Sequence, residues 1–333
     1  MEGYKKKMNN LALKYRPKVF EDLVSQKEIV DILRYQLQTK TTKNSYLFTG
    51  ASGCGKTTTA RIFANDINEG KGQPYEIDAA SNTGVDNVRK IIEQAAFKSI
   101  DSEYKVFIID ECHMLSLGAW NALLKVLEEP PKHSVFILCT TDPQKIIPTV
   151  LSRVQRFDFT RIPTTAIIER LLRIVDFEVR EGKPIKYTRE AIQVIAEQAK
   201  GGLRTAISLL DKALAYTQDL NYELTCKALS IMNKHDLDTI TEYVFNNQQQ
   251  DLLKSIDDIY MEGKDLKQFI KQWIDRTLEK QKEVIYGKFK SVNSYLSLLD
   301  ALLNINNGIK YEDSPKELIE AELILFISSY ANK

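Results

Sequence analysis

The sequence predicts an α/β domain, a parallel sheet with helices on both faces, followed by all-helical domains. Three observations support this. Short apolar runs alternate with segments of helical periodicity up to about residue 159, the order that builds a parallel sheet. The runs 106–109 and 135–138 are apolar at every position, as strands buried on both faces are. Beyond Phe159 only helical spacing remains.

Strands and helices alternate regularly in the first half of the chain. The predicted strands lie at 46–49, 75–77, 106–109 and 135–138. The predicted helices carry apolar residues three and four positions apart and cover 57–68, 85–97 and 117–129. Pro130 and Pro131 end the third of these helices, because proline lacks the amide hydrogen that a continuing helix needs.

The second half reads as helical throughout. Glycine- and proline-containing breaks separate three predicted helices at 164–181, 188–200 and 203–215. The remaining residues, 221–333, have helical spacing and no catalytic signature. We therefore predict three domains, at 1–160, 161–220 and 221–333.

Composition limits the classes of function. Lys and Arg total 46 and Asp and Glu total 45, for a net charge of +1, whereas a strongly basic nucleic-acid-binding protein has a clear excess of positive charge. Any contact with DNA therefore needs locally gathered cations. No apolar run approaches the ~20 residues of a membrane span, and the Lys-rich start lacks the apolar core of a secretory signal. We expect a cytoplasmic protein without a membrane partner.

The four cysteines, Cys54, Cys112, Cys139 and Cys226, are far apart in the sequence. Zinc sites need ligands paired at short spacing. We therefore predict no zinc, and we expect buried, reduced thiols for the three of the four cysteines that sit in apolar or motif contexts.

A phosphate-binding loop follows the first predicted strand. The segment GASGCGKT at 50–57 matches the pattern G-x-x-x-x-G-K-[ST] and precedes a predicted helix. Glycines let backbone N–H groups close around phosphate oxygens, and the helix N-terminus favours anions. Lys56 is expected to reach the outer phosphates, and Thr57 to bind Mg²⁺. The predicted nucleotide-binding residues here are Gly50, Ala51, Ser52, Gly53, Cys54, Gly55, Lys56, Thr57 and Thr58.

Two carboxylates follow the apolar strand 106–109. Ligands bind at the carboxyl ends of strands in open α/β sheets, so we expect Asp110 and Glu111 beside the phosphate loop. Asp110 would hold Mg²⁺, directly or through water, and Glu111 would orient and polarise the attacking water. Together these residues predict a P-loop ATPase, without indicating what the ATP drives.

Several further segments narrow the class. They are LKYRP at 13–17, FEDLV at 20–24, EIDAASN at 76–82, DECHMLS at 110–116, NALLKVLEEPP at 121–131, TTDPQK at 140–145, LSR at 151–153 and GGLR at 201–204. Spread over roughly residues 11–215, they resemble the gamma/tau ATPase subunits of bacterial DNA polymerase III clamp loaders, members of the AAA+ family. The resemblance implies an AAA+ core at 1–160, a lid at 161–220 and a collar for oligomerisation at 221–333.

The resemblance also implies roles for single residues. Thr141, with Thr140 as second choice, would bond near the γ-phosphate. Arg204 would reach the phosphates from the lid, and Arg153 would act in trans on ATP bound to a neighbouring subunit, where a guanidinium stabilises the transferring phosphoryl group. The segment packed on the adenine would supply Arg16, Pro17 and Val24.

The implied partners are other clamp-loader subunits in a pentameric ring, the sliding clamp, and primer–template DNA. Arg89 and Lys125 match basic residues that face DNA in the family, with Lys98 and Lys105 as weaker candidates. Their contacts would go to phosphates and would be sensitive to salt.

The chain departs from the family in two places. The connection 65–75 has no cysteine where the family carries a four-cysteine zinc module, so the predicted cofactors are ATP and Mg²⁺ without zinc. Val154 follows the finger arginine where the family often has cysteine. Since the sequence ends at residue 333, the resemblance implies a short, gamma-like form without the tail that tethers polymerase and helicase.

The predicted function is a clamp-loader ATPase, and two alternatives stay open. A AAA+ recombination or fork-repair ATPase shares the Arg-Pro start and the P-loop, but the runs EEPP and TTDPQK disfavour it. A catalytically silent structural subunit would lack Lys56, Glu111 or Arg153, and all three are present.

Overall fold

The structure, a computed structural model, describes residues 10–287 and 293–330. The Lys-rich start of the chain, residues 1–9, lies outside the described residues. The chain divides into two compact units, with the boundary between Gln218 and Asp219. The first unit contains both the core and the lid of the sequence analysis, so their separation at residue 160 stays a prediction. Within the described ranges, no helix is long and apolar enough to cross a membrane.

A five-stranded parallel sheet with the order β2-β3-β4-β1-β5 organises the first unit. Its strands are β1 Ser45–Gly50, β2 Tyr75–Asp78, β3 Lys105–Asp110, β4 Ser134–Thr140 and β5 Gln155–Phe159. Because β4 lies between β1 and β3, the residues that follow β4 come between the phosphate loop and the two carboxylates. The topology thus brings three chain segments to one edge of the sheet.

Helices cover both faces of this sheet. They are α2 Lys27–Thr39, α3 Lys56–Asp66, α4 Val85–Ala95, α5 Leu117–Glu128 and α6 Pro148–Leu151, with 3₁₀ turns at Phe20–Asp22, Cys112–Met114 and Pro143–Lys145. A further short helix, α1 Leu11–Lys14, precedes them. Val106 and Ile108 pack into the core on the α3 side, while Phe107 and Ile109 pack into the core on the α5 side. The predicted α/β fold with two covered faces is confirmed.

The lid follows as α7 Thr164–Arg180, α8 Arg189–Gln198 and α9 Leu203–Tyr216, with a short strand β6 at Lys186–Tyr187. Thr188 caps α8, since its side chain accepts a hydrogen bond from the backbone N–H of Ala191.

Strand β5 and helix α2 are absent from the elements predicted from the sequence. Strand β5 alternates polar and aromatic residues, and only Phe157 and Phe159 are buried, because an edge strand has one face toward solvent. The apolar runs of the buried strands β3 and β4 are therefore a poor guide to this one.

In its described residues, 219–287 and 293–330, the second unit is helical apart from a short strand, β7 Asp219–Leu220. Its helices are α10 Tyr222–Leu229, α11 Lys234–Phe245, α12 Gln249–Met261, α13 Leu266–Ile285, α14 Asn293–Gly308 and α15 Pro315–Tyr330. Trp273 lies fully buried in the core of this unit, and its indole N–H donates to the Thr241 hydroxyl at 2.8 Å. Tyr286, by contrast, is 80% exposed. Trp120 is buried in the first unit.

Candidate nucleotide-binding site

The phosphate loop curves around the ammonium group of Lys56. This side chain is only 5% exposed, and its Nζ donates to the backbone oxygens of Gly50 at 2.8 Å and Ala51 at 2.9 Å. Gly53 and Gly55 have φ values of +74° and +107°, where a side chain would be strained. The glycines therefore permit the turn that places a cation at the N-terminus of α3.

Thr57 and Asp110 meet across the edge of the sheet. The Thr57 hydroxyl donates to Oδ2 of Asp110 at 2.9 Å, and Oδ1 accepts from the Glu111 N–H at 3.0 Å. Burial raises the pKa of the Asp110 carboxyl, and the hydrogen bond from Thr57 partly offsets this shift. A hydroxyl and a carboxylate form the hard oxygen set that Mg²⁺ prefers, so the predicted pair fits a magnesium ion.

A zinc site would need several ligand side chains close together. In residues 10–287 and 293–330, no group of three or more His, Cys, Asp or Glu side chains is placed to hold a metal ion. The four cysteines are buried and free, as expected. The absence of zinc stays a prediction.

Glu111 is held by the segment that follows β4. Its Oε2 accepts from the Thr141 hydroxyl at 2.8 Å and from the Thr141 N–H at 3.3 Å. His113 Nδ1 lies 3.4 Å from the same oxygen. The Thr140 side chain is fully buried and faces His113 instead, at 3.1 Å. Of the two threonines, Thr141 is thus the one beside the carboxylate, while its contact with a γ-phosphate stays a prediction.

A cavity of the first unit joins the phosphate loop to the N-terminal segment. The predicted residues that line it are Arg16, Pro17, Val24, Ser52, Gly53, Cys54, Gly55, Lys56, Thr57, Thr58, Asp110, Glu111 and Arg204. Gly50, Ala51, Thr141 and Arg153 are not among its lining residues.

Sequence reasoning missed several lining residues, among them Gln26 and Ile207. Ile207 follows Arg204 by three positions on α9, so helical spacing alone would have placed it on the same face. Gln26 gave no such signal. It has a left-handed backbone (φ 64°), and its side-chain amide donates to the backbone oxygen of Thr160 at 2.7 Å, which ties the cavity to the end of β5.

The lid touches the phosphate loop through backbone atoms. The Leu203 N–H donates to the Gly53 oxygen at 3.0 Å. A Cβ added to Gly202 would lie 3.0 Å from the Ser52 oxygen. Gly202 has φ −101°, so its backbone conformation suits any residue, and the absence of a side chain matters only for this close approach.

Replacing Gly202 by alanine should therefore move the lid away from the phosphate loop. We expect ATP affinity to fall by about tenfold, corresponding to about 1.4 kcal/mol, because Arg204 moves with α9. Isothermal titration calorimetry measures this directly. Gly118→Ala is the matched control, since the added methyl group meets only ordinary contacts at 4.0 Å. Equal affinity of Gly202→Ala and wild type would show that the close approach is not needed.

Arg153 does not line the cavity of its own chain. Its guanidinium pairs with Glu128 at 2.5 Å and donates to the backbone oxygen of Thr149 at 2.6 Å. This position on the outer surface leaves its action on a neighbouring subunit a prediction.

The DNA candidates differ in exposure. Arg89 and Lys125 are exposed, and Arg89 lies 3.4 Å from Asp86 of the preceding turn. Lys105, one of the weaker candidates, is buried and donates to the Gln94 backbone oxygen at 2.8 Å. Burial thus removes Lys105 from any solvent-facing charged surface.

The parallel sheet, the phosphate loop and the helical lid define a P-loop protein of the AAA+ class. Solved structures of Thermotoga maritima RuvB, one described as a Holliday junction branch migration motor, share this fold. That structure aligns with a TM-score of 0.53 at 18% identity over 73% of this chain and 85% of its own. An R170A variant of the same protein aligns with a TM-score of 0.54 at 17% identity, over 73% and 85%.

Sequence comparisons identify the family. Residues 67–163 match the family model "DNA polymerase III, delta subunit", and residues 177–219 match "DNA polymerase III clamp loader subunit, ATPase lid domain". DNA polymerase III subunit tau of Bacillus subtilis is 40% identical over 78% of this chain and 49% of its own length. Subunit tau of Escherichia coli is 37% identical over 62% of this chain and 34% of its own length. The chain belongs to the DNA polymerase III gamma/tau family, and it spans about half the length or less of these curated relatives.

Proposed function

We propose that this chain is the ATPase subunit of a DNA sliding-clamp loader. ATP binding would drive assembly and clamp opening, and hydrolysis on primer–template DNA would release the clamp. One observation carries the proposal. The cavity is lined by Lys56 of the phosphate loop, by the proposed Mg²⁺ ligands Thr57 and Asp110, and by Glu111. Arg153, the expected finger, lies outside this cavity and pairs with Glu128. A site whose expected finger guanidinium lies outside its own cavity suits an enzyme whose turnover depends on its neighbour.

The mechanism follows from the positions of the side chains. Lys56 and the backbone N–H groups of the loop would bind the outer phosphates, and Arg204 would approach them from the lid. Thr57 and Asp110 would hold Mg²⁺, which neutralises phosphate charge when bound. Glu111 would accept a proton from the attacking water, and Thr141 would fix the orientation of that carboxylate.

The proposed partners are other loader subunits, the clamp and primer–template DNA. The pentameric ring, the cytoplasmic location at the replisome and the collar role of residues 221–333 belong to the same proposal. The match of residues 177–219 to a clamp-loader lid supports it.

ATP hydrolysis tests the proposal, measured on the purified complex with and without primed DNA and the clamp. A clamp loader should respond to both together far more than to either alone. Activation by single-stranded DNA alone would favour the recombination or fork-repair alternative. Failure to bind ATP would favour a structural subunit.

DNA engagement is tested by charge reversal. We expect Arg89→Glu with Lys125→Glu to weaken primer–template binding by at least about tenfold and to reduce the salt slope by about one for each lost phosphate contact. Fluorescence anisotropy at several salt concentrations measures both quantities. Reversal of Lys186 and Lys212, both exposed, is the control with the same change in charge. Unchanged binding at every salt concentration would rule out the assignment.

A further inference from the structure

The N-terminal wall of the nucleotide cavity is attached to the lid. Leu11 is buried, and its N–H donates to Oδ2 of Asp211 on α9 at 3.4 Å. The backbone oxygen of Tyr15 accepts from Arg170 of α7 at 3.3 Å. The Tyr15 ring packs edge-on against Phe177 of α7, with ring centroids 5.9 Å apart. These contacts fasten the residues just before Arg16 and Pro17 to two lid helices.

A buried carboxylate lies at the centre of this attachment. Glu178 has a fully buried side chain, and its Oε1 accepts from Lys14 Nζ at 2.6 Å and from the Tyr15 hydroxyl at 2.5 Å. Its second oxygen contacts Lys183 Nζ. Two of the three partners thus belong to the N-terminal segment, 164 and 163 positions away in sequence.

The location of this carboxylate is unfavourable for the helix that carries it. Glu178 lies in the last turn of α7, where the helix dipole disfavours a negative charge. Burial by itself raises the pKa of this carboxyl, but hydrogen bonds from Lys14, Lys183 and Tyr15 outweigh that effect and bring the pKa to about 2. The carboxylate therefore remains charged and needs these partners, since a buried charge without a partner is costly.

The segment that Glu178 holds forms part of the cavity lining. Tyr15, Arg16 and Pro17 line the cavity, whereas Lys14 does not. The phosphate-binding side is built on α3 and the strand ends instead. An ion pair that fixes Lys14 and Tyr15 on α7 therefore acts on the N-terminal wall of the cavity rather than on the phosphate loop.

We propose that Glu178 is a positioning residue for recognition of the nucleotide base. By clamping Lys14 and Tyr15, it holds Arg16 and Pro17 in place and makes this wall move with the lid. The inference rests on the proposed nucleotide site. It predicts that loss of the carboxylate weakens the base-dependent part of ATP affinity and spares the phosphate-dependent part.

Calorimetric titration with ATP and with inorganic tripolyphosphate, both with Mg²⁺, separates these parts. For Glu178→Gln we expect the Kd for ATP to rise by about tenfold or more, while the Kd for tripolyphosphate stays within about twofold of wild type. Glu181→Gln is the matched control, because Glu181 also contacts Lys14 but is 46% exposed. It should leave both constants within about twofold of wild type.

Several outcomes would overturn the inference. An equal loss of affinity for both ligands would mean that Glu178 only supports the lid as a whole, and unchanged ATP binding would mean that it has no role. Should Glu178→Gln fail to fold, Lys14→Met is the second test. It removes the partner of Glu178 that lies on the short helix α1. It should weaken binding of ATP, though less than Glu178→Gln, and spare binding of tripolyphosphate. Failure of the wild-type protein to bind either ligand would instead refute the nucleotide site itself.

Discussion

Replacing Arg153 by alanine is expected to leave ATP binding intact and to lower turnover in the assembled complex by ~10³–10⁵-fold, the scale of an arginine finger. Binding should persist because Arg153 does not line the cavity of its own chain. Turnover should fall because no other guanidinium would then reach the γ-phosphate from the neighbouring subunit. Nucleotide titration and steady-state ATP hydrolysis, measured on the same preparation with primed DNA and the clamp, separate the two effects.

Arg156→Ala is a suitable control for Arg153→Ala. Arg156 is also a surface arginine, and it pairs with Asp158 on the same strand. It should leave turnover near the wild-type value. Full-rate hydrolysis by an isolated Arg153→Ala protomer would contradict the action in trans.

The sequence predicted the parts of the site that depend on local patterns. The phosphate loop is a contiguous motif, and Asp110 and Glu111 come at the end of an apolar strand. Because the carboxyl ends of parallel strands share one edge of the sheet, the loop and the two carboxylates were expected to lie close together. The hydrogen bond between Thr57 and Asp110 at 2.9 Å bears out that expectation.

Contacts between distant segments were beyond prediction from one sequence. Lys14 and Glu178 meet across 164 positions, and neither belongs to a pattern that indicates the other. The sequence likewise does not indicate why position 202 is a glycine. Its lack of a side chain matters only because the backbone oxygen of Ser52 lies so close. Sequence spacing indicates which face of an element is buried, but it does not indicate which distant element covers that face.

Glu111→Gln should have the second large effect. Glutamine preserves the size of the side chain but cannot accept the proton from water, so we expect hydrolysis to fall by ~10²–10⁴-fold while ATP and Mg²⁺ still bind. Single-turnover hydrolysis measures the loss without interference from product release. Glu129→Gln, at an exposed carboxylate, is the control. Retained hydrolysis in Glu111→Gln would show that another group activates the water.

Mixing the two variants tests their division of labour. In the proposed mechanism, each active site takes Glu111 from the protomer that holds ATP and Arg153 from its neighbour. A loader with both kinds of protomer should therefore contain some sites in which an Arg153→Ala protomer keeps Glu111 and receives Arg153 from a Glu111→Gln neighbour. Partial recovery of turnover in the mixture, absent from either variant alone, is the expected result. If both residues acted within one chain, every protomer would lack one of them and no mixture would recover activity.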